Sequence, residues 1–388
     1  MRRLLLAAGA LLLLTVVGLL AAPSADGQQP KDATDTIDVG PDDDELWPFT
    51  SRSTSVEGRT LVLNAIVMED PKTVEVMLGR RASTDWSTTD RTTPPDPAAA
   101  PFREEQVATG WQSAHGSVRY TYAATDKDGR WLKQRYQLHV GTYLGTRDHI
   151  RAFAPSEQSE WTALQAHSEY WDWFRLRHTV TDVQGTADRI AADFRSLDRV
   201  SVERGYRRDS GPLSRGIVVV SSLLPLLAGR RHWSRLRDRF EDPSRRTATL
   251  TVFAIALATP MAVRVAGIGL ERLIPLVNPK LFVVMLYPVL AVGLPVAVAR
   301  RSGTLPARVA GPAAAVALAV GFTAEFAFLG VAPPERIVWH RLLVATALGL
   351  LAAGGAELSR NGTWRPLYTV GGGTLWLWGL IAPLFGFV

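Results

Sequence analysis

Five long apolar runs, separated by short arginine-rich loops, constrain this 388-residue chain more than any other feature. They are Thr247–Val263, Leu281–Ala299, Val309–Val331, Val338–Ala356 and Leu367–Val388, with at most one charged residue apiece. Each reaches the length of roughly 17–25 residues that a helix needs to cross the hydrocarbon core of a bilayer. Only a helix or a closed barrel satisfies its own backbone polar groups there. The C-terminal half is therefore expected to be an all-α transmembrane bundle. A sixth apolar segment, Gly216–Gly229, is shorter and contains Pro225. As a helix it would reach only about 21 Å.

The loops suggest an orientation. Seven arginines lie between Arg230 and Arg246; Arg300, Arg301 and Arg308 follow two crossings later, and Arg360 and Arg365 two crossings after that. Basic loops stay in the cytoplasm, and all three can do so only if Gly216–Gly229 crosses. The chain before Gly211 then lies outside. Met1-Arg2-Arg3 followed by apolar Leu4–Ala22 agrees, as a cleaved signal peptide or an uncleaved anchor. Arg264, at the end of the first long run, is expected to snorkel to the interface. Glu325 is the one carboxylate well inside a span, and a buried charge there is a functional candidate by default. Asn361-Gly362-Thr363 is a glycosylation sequon, but this orientation puts it in the cytoplasm and discounts it.

Charge divides the chain the same way. Pro23–Ser210 holds 23 Lys and Arg against 30 Asp and Glu, whereas Gly211–Val388 holds 18 against 7. The basic excess sits beside membrane spans, so the lipid bilayer is the partner it indicates and nucleic acid is not. The absence of cysteine excludes disulfides, thiolate metal sites and cysteine nucleophiles. Four parts follow: residues 1–23, the signal or anchor; 24–45, an acidic tether; 46–210, a soluble domain; and 211–388, the membrane domain with about six spans.

Within the soluble part, Thr60–Met68 reads as a strand, and Asp70-Pro71 caps a helix running to about Arg81. Asp85–Pro101 reads as a loop, and Thr186–Leu197 as a closing helix with Ile190 and Phe194 on one face. Between them, Trp131–Val180 holds four of the seven histidines. Its basic and apolar residues alternate as in half-buried strands. Arg147, His149 and Arg151 point one way, and Asp148, Ile150 and Ala152 the other. In Asp172–Val180, the residues Phe174, Leu176, His178 and Val180 share a face opposite Arg175 and Arg177. A fold of α+β class, mainly antiparallel sheet with two helices, accounts for this region.

Such a face carries three candidate chemistries. Arg147, His149 and Arg151 would present cations to a phosphate or carboxylate; the bland alternative is a solvated strand with cross-strand ion pairs. His149, His167 and His178 with Glu169 or Asp172 could converge on a metal. No HExxH or cysteine-containing zinc signature occurs, however, and no metal ligand is assigned from the sequence. Trp161, Tyr170, Trp171, Trp173 and Phe174 could stack a sugar or lie on the bilayer, although such residues are more often packing.

The segments Leu61–Leu78, Tyr143–Phe153 (YLGTRDHIRAF), Trp161–His167 (WTALQAH) and Arg177–Phe194 (RHTVTDVQGTADRIAADF) together resemble the LssY C-terminal domain family. The matching positions are Arg147, His149, Arg151, Trp161, His178, Asp182 and Arg189. The likeness covers under half the chain. That family often accompanies membrane modules that include lipid phosphatases, but no lipid-phosphatase signature occurs here, and that activity is not carried over. The function these observations favour is an exported domain that binds or senses an anionic envelope ligand, a lipid head group or cell-surface polymer, at Arg147, His149, Arg151, His167 and His178. A histidine- or metal-dependent hydrolase of an envelope lipid or phosphoester is the alternative.

Overall fold

The computed structural model describes residues 36–39, 44–50, 61–80, 84, 86, 120–125, 128–197, 201–202, 243–362 and 364–385. Leu4–Ala22 and Gly216–Gly229 lie outside them. Contacts divide the chain into two units. One takes 22–170 and 179–216; the other takes 171–178 together with 217–388 and 1–21.

In the first unit the short apolar alternations become strands and the capped segments become helices. Strands β1 (Ile37–Val39), β2 (Asp44–Leu46), β4 (Tyr120–Thr125) and β5 (Asp128–Lys133) form one antiparallel sheet in the order β1-β2-β4-β5. The expected tether therefore ends sooner than its acidity suggests. Val39 and Leu46 are buried, and together with Leu63, Ala123, Leu132, Phe153, Trp161 and Ala163 they build a core. The second sheet holds β3 (Ala65–Val67), β6 (Tyr136–Gly141), β7 (Thr146–Phe153), β8 (Thr162–Asp172) and β9 (Arg177–Asp182), with β3, β8, β7 and β6 in line and β9 also paired to β8. The strand expected over Thr60–Met68 shortens to β3, with Val62 bridging Phe49 ahead of it.

Helix α1 (Pro71–Arg80) begins where Asp70 Oδ1 accepts the backbone N–H of Lys72 and of Thr73, each at 2.9 Å. Hydrogen bonds to Thr73 hold that carboxyl below its ordinary range. Helix α2 spans Gln184–Arg195. Val74 and Leu78 of α1 and Ile190 and Phe194 of α2 pack on Leu138, Ile150, Ala152, Leu164 and Ala166. Trp86, from the expected loop, joins that core and donates its indole N–H to Asp193 at 3.0 Å.

Asn64 ties the sheet edge. Its amide accepts from the Ala166 N–H at 2.9 Å and donates to the Ala166 carbonyl at 2.7 Å and the Val183 carbonyl at 3.3 Å. Asn64→Ala would leave buried backbone groups of β8 unsatisfied, and should cost about 2–4 kcal/mol. Thermal unfolding of the full chain in detergent, followed by near-ultraviolet dichroism, would measure it. An unfolding midpoint indistinguishable from the wild type would show that water replaces the amide.

Among the described residues, the second unit carries five helices long and apolar enough to cross a membrane: α3 (Pro243–Leu273), α4 (Pro279–Thr304), α5 (Ala307–Leu329), α6 (Glu335–Asn361) and α7 (Leu367–Phe385). The protein is a multi-pass membrane protein. Helices in lipid associate through close packing at small residues. A Cβ on Gly349 of α6 would stand 2.9 Å from the Gly311 carbonyl oxygen of α5, and one on Gly355 would collide with the Ala299 carbonyl oxygen of α4. Val289–Gly293 of α4 is a π-helical turn. Pro295 has no N–H to give the Ala291 carbonyl four residues back; the Trp376 indole of α7 donates to that oxygen at 2.8 Å.

Two expectations change here. Helix α3 runs through Arg264 to Leu273, so Arg264 does not end the span. Its guanidinium, 1 % exposed, donates to Glu325 Oε1 of α5 at 2.6 and 2.9 Å. Strand β8 stops at Asp172, and Trp173–Leu176 form a turn, with Leu176 at φ 49°. Asp172 Oδ1 accepts the Phe174 N–H at 3.0 Å, and Asp172 is ion-paired with Arg341 of α6. Phe174 lies edge-on to Phe322 of α5 and Trp376 of α7, with ring centroids 5.0 and 6.4 Å away, and the Arg341 guanidinium stands 4.7 Å above its ring.

Candidate functional site

The two faces of β7 have different tasks. Ile150 and Ala152 turn to the helix-packed core, while Arg147, His149 and Arg151 turn to the other side with Phe153. The antiparallel register sets residues of β6 and β8 beside them. Gln137, Arg151 and Gln165 form one cross-strand row, His139, His149 and His167 the next, and Gly141, Arg147 and Glu169 the third. The apolar end of this face, Phe153 and Ala163, belongs to the core shared with β1, β2, β4 and β5.

Cross-strand pairs sit about 4.5–5.5 Å apart at Cβ, and the side chains meet accordingly. The His139 and His149 rings stack with centroids 4.3 Å apart, and His167 stands edge-on to His149 at 5.0 Å. His167 Nε2 lies 3.2 Å from Glu169 Oε2, and His149 Nδ1 lies 3.6 Å from Glu169 Oε1. Arg147 Nε donates to Glu169 Oε1 at 2.7 Å, and its guanidinium rests 5.0 Å above the Tyr143 ring. His149 Nε2 is 2.9 Å from Gln137 Oε1. Arg151 donates to Gln165 Oε1 at 2.8 Å, and Gln165 Nε2 in turn donates to Thr50 Oγ1 at 2.6 Å. His149, His167 and Glu169 are buried, while Arg147 and Arg151 are half-buried.

Burial sets the protonation of this row. Desolvation and the Arg151 guanidinium hold His149 well below the usual imidazole range, against the pull of Glu169. Desolvation also lowers His167, opposed by its hydrogen bond with Glu169. Both rings are therefore neutral at neutral pH. Among the described residues, the guanidiniums of Arg147 and Arg151 and the carboxylate of Glu169 are the charged groups of these three rows. One ligating atom from each of His149, His167 and Glu169 lies within 4.8 Å of the other two.

Of the residues singled out in the sequence, Arg147, His149, Arg151 and His167 come together with Glu169. His178 does not join them: its ring stands edge-on to Trp171, 5.2 Å away, in the unit that carries the helices. Asp172 is likewise elsewhere, paired with Arg341. The imidazoles are buried rather than set in an open pocket. Asp182 and Arg189 act on the opposite side. Asp182 Oδ1 accepts the Gly185 N–H at 2.9 Å at the start of α2, and Arg189 forks onto Asp148 at 2.7 and 2.8 Å. Trp161 is core, with its indole N–H on Asp44 at 2.7 Å. Residue alternation alone missed His139, Gln137 and Gln165. Folding the sequence about Leu144 and Gln158 sets all three opposite the β7 residues already chosen.

No family model, curated protein or solved structure matches this chain.

Proposed function

We propose that this multi-pass membrane protein carries its α+β domain outside the cytoplasm and uses the histidine–arginine face to bind an anionic envelope ligand. The phosphate or carboxylate of a lipid head group or cell-surface polymer has the chemistry that face would take. One observation carries the proposal: two half-buried guanidiniums, Arg147 and Arg151, lie on one face of β7 on either side of a row of buried neutral imidazoles. A likeness to the LssY C-terminal domain family would fall on the same three β7 residues. The arginine-rich loops and the basic N-terminal segment support the exported orientation.

The second possibility is hydrolysis of an envelope lipid or phosphoester, favoured by the closeness of His149, His167 and Glu169. A general base works best with a pKa near the operating pH. Imidazoles held below their usual range meet that condition poorly unassisted, so binding takes precedence.

The full chain in nanodiscs of zwitterionic lipid, titrated with inorganic phosphate, tests the binding proposal; vesicles containing phosphatidylglycerol distinguish a head group from a free anion. Arg151→Gln keeps a polar partner for Gln165 but removes a charge-assisted hydrogen bond of about 1.5–3 kcal/mol. Affinity should fall about 10–100-fold with the fold intact. Arg147→Ala is the less clean variant, because it also takes the ion-pair partner of Glu169 away. Wild-type affinity in Arg151→Gln would reject the proposal. Protease added to spheroplasts should remove the domain while a cytoplasmic control survives.

A further inference from the structure

We infer that His149, His167 and Glu169 hold a divalent first-row transition ion, and that the anion proposed for this face binds beside it. This rests on taking the histidine–arginine face as a ligand site, and adds what stands at its centre.

The first argument is tautomeric. The atom of Gln137 beside His149 is its amide oxygen, which can only accept, so Nε2 of His149 carries the ring proton. The Nδ1 lone pair of the same ring is then aimed into the cluster, 3.6 Å from a carboxylate oxygen of Glu169, and has no hydrogen-bond donor among the described residues. Two electron-rich atoms face each other inside a buried site. A buried acceptor without a donor is costly, and a cation between the two removes that cost.

The second argument is geometric. Tetrahedral coordination with bonds of about 2.0–2.1 Å sets ligand atoms about 3.3–3.4 Å apart. Glu169 sets one oxygen 3.2 Å from His167 and the other 3.6 Å from His149, distances close to such edges. One ligating atom from each of the three residues lies within 4.8 Å of the other two, so a turn of the carboxylate suffices to serve both rings with one oxygen. The surroundings also suit a metal. Ligating histidines usually give their second ring N–H to an oxygen, and ligating carboxylates are themselves hydrogen-bonded. Gln137 performs the first task for His149, and Arg147 the second for Glu169. Two neutral imidazoles and a carboxylate suit zinc or iron better than magnesium or calcium. Three protein ligands leave a coordination position open, between arginines that would complement an anion placed there.

The test uses the full chain in detergent, stripped with a chelator and dialysed against Zn2+ and, separately, Mg2+. Retained metal is counted by mass spectrometry, and zinc X-ray absorption reads the ligands. The wild type should retain zinc in preference to magnesium, with imidazole scattering in the absorption spectrum. His167→Ala and the near-isosteric Glu169→Gln should lose it. Gln137→Ala should weaken zinc binding about 10–100-fold, and Arg189→Gln, on the opposite face, should leave it unchanged. The inference falls if the wild type retains no zinc, if the absorption spectrum lacks imidazole, or if folded Glu169→Gln binds as the wild type does. Phosphate titration of the same samples separates the two proposals. Phosphate binding without zinc overturns the metal site alone. Zinc retention without phosphate binding leaves the metal site standing and removes the anion.

Discussion

Glu325→Ala should destabilise the helical bundle by about 3–5 kcal/mol, the usual cost of removing one member of a buried ion pair. Arg264 is 1 % exposed and donates twice to that carboxylate, and its guanidinium lies 6.0 Å from the Trp173 ring centroid. With the carboxylate gone, a buried cation loses the acceptor of both these hydrogen bonds. The double variant Arg264→Met with Glu325→Leu removes both charges at similar volume, and should recover most of the loss. Thermal unfolding of the full chain in detergent gives both numbers. If the double variant is as unstable as Glu325→Ala, packing and not charge decides the site.

Phe174→Ala should cost a similar amount, about 3–5 kcal/mol for a buried Phe that becomes a cavity. The ring lies edge-on to Phe322 and Trp376 and beneath the Arg341 guanidinium. Aromatic pairs add about 0.5–1.5 kcal/mol beyond buried area, so Phe174→Leu should recover some of the loss but not all. Unfolding in mixed micelles reads both variants. A Phe174→Ala chain that unfolds together with the wild type would mean that the turn contributes nothing to the helices it belongs with.

What was legible in the sequence was whatever a local rule governs. Asp70-Pro71 announces α1 because a cap and a fixed φ act within one turn. Ile190 and Phe194 mark α2, and the apolar runs mark α3 to α7, because the bilayer fixes their length. The two faces of β7 follow from strict alternation. What escaped depends on partners far apart in the chain. Arg264 meets Glu325 across 61 positions, and no pattern around either residue reveals the other. Its apolar neighbours instead suggested a span that stops at the arginine. The alternation of Asp172–Val180 runs unbroken through a turn, because Phe174, Leu176 and His178 keep the period while the backbone turns over Trp173–Leu176. Alternation alone therefore groups His178 with His149, although His178 belongs to the unit that carries the helices. His139 and the two glutamines could have been found from hairpin symmetry, since each lies directly across from a residue already chosen.

The polar rows across β6, β7 and β8 also act on how the sheet assembles. A strand paired one residue out of step would drive Arg147, His149 and Arg151 into the helix-packed core and turn Ile150 and Ala152 away from it. A slip of two residues keeps the facing but parts Arg147 from Glu169 and sets Arg151 against His167, which lowers the value of every polar contact at once. Apolar strands tolerate such near misses, because one branched side chain replaces another at little cost. Here the same residues proposed to hold a ligand favour the one β7–β8 pairing that sets Arg147 against Glu169 and Arg151 against Gln165. Pairings of β7 with β8 out of this register are thereby disfavoured in the folded sheet.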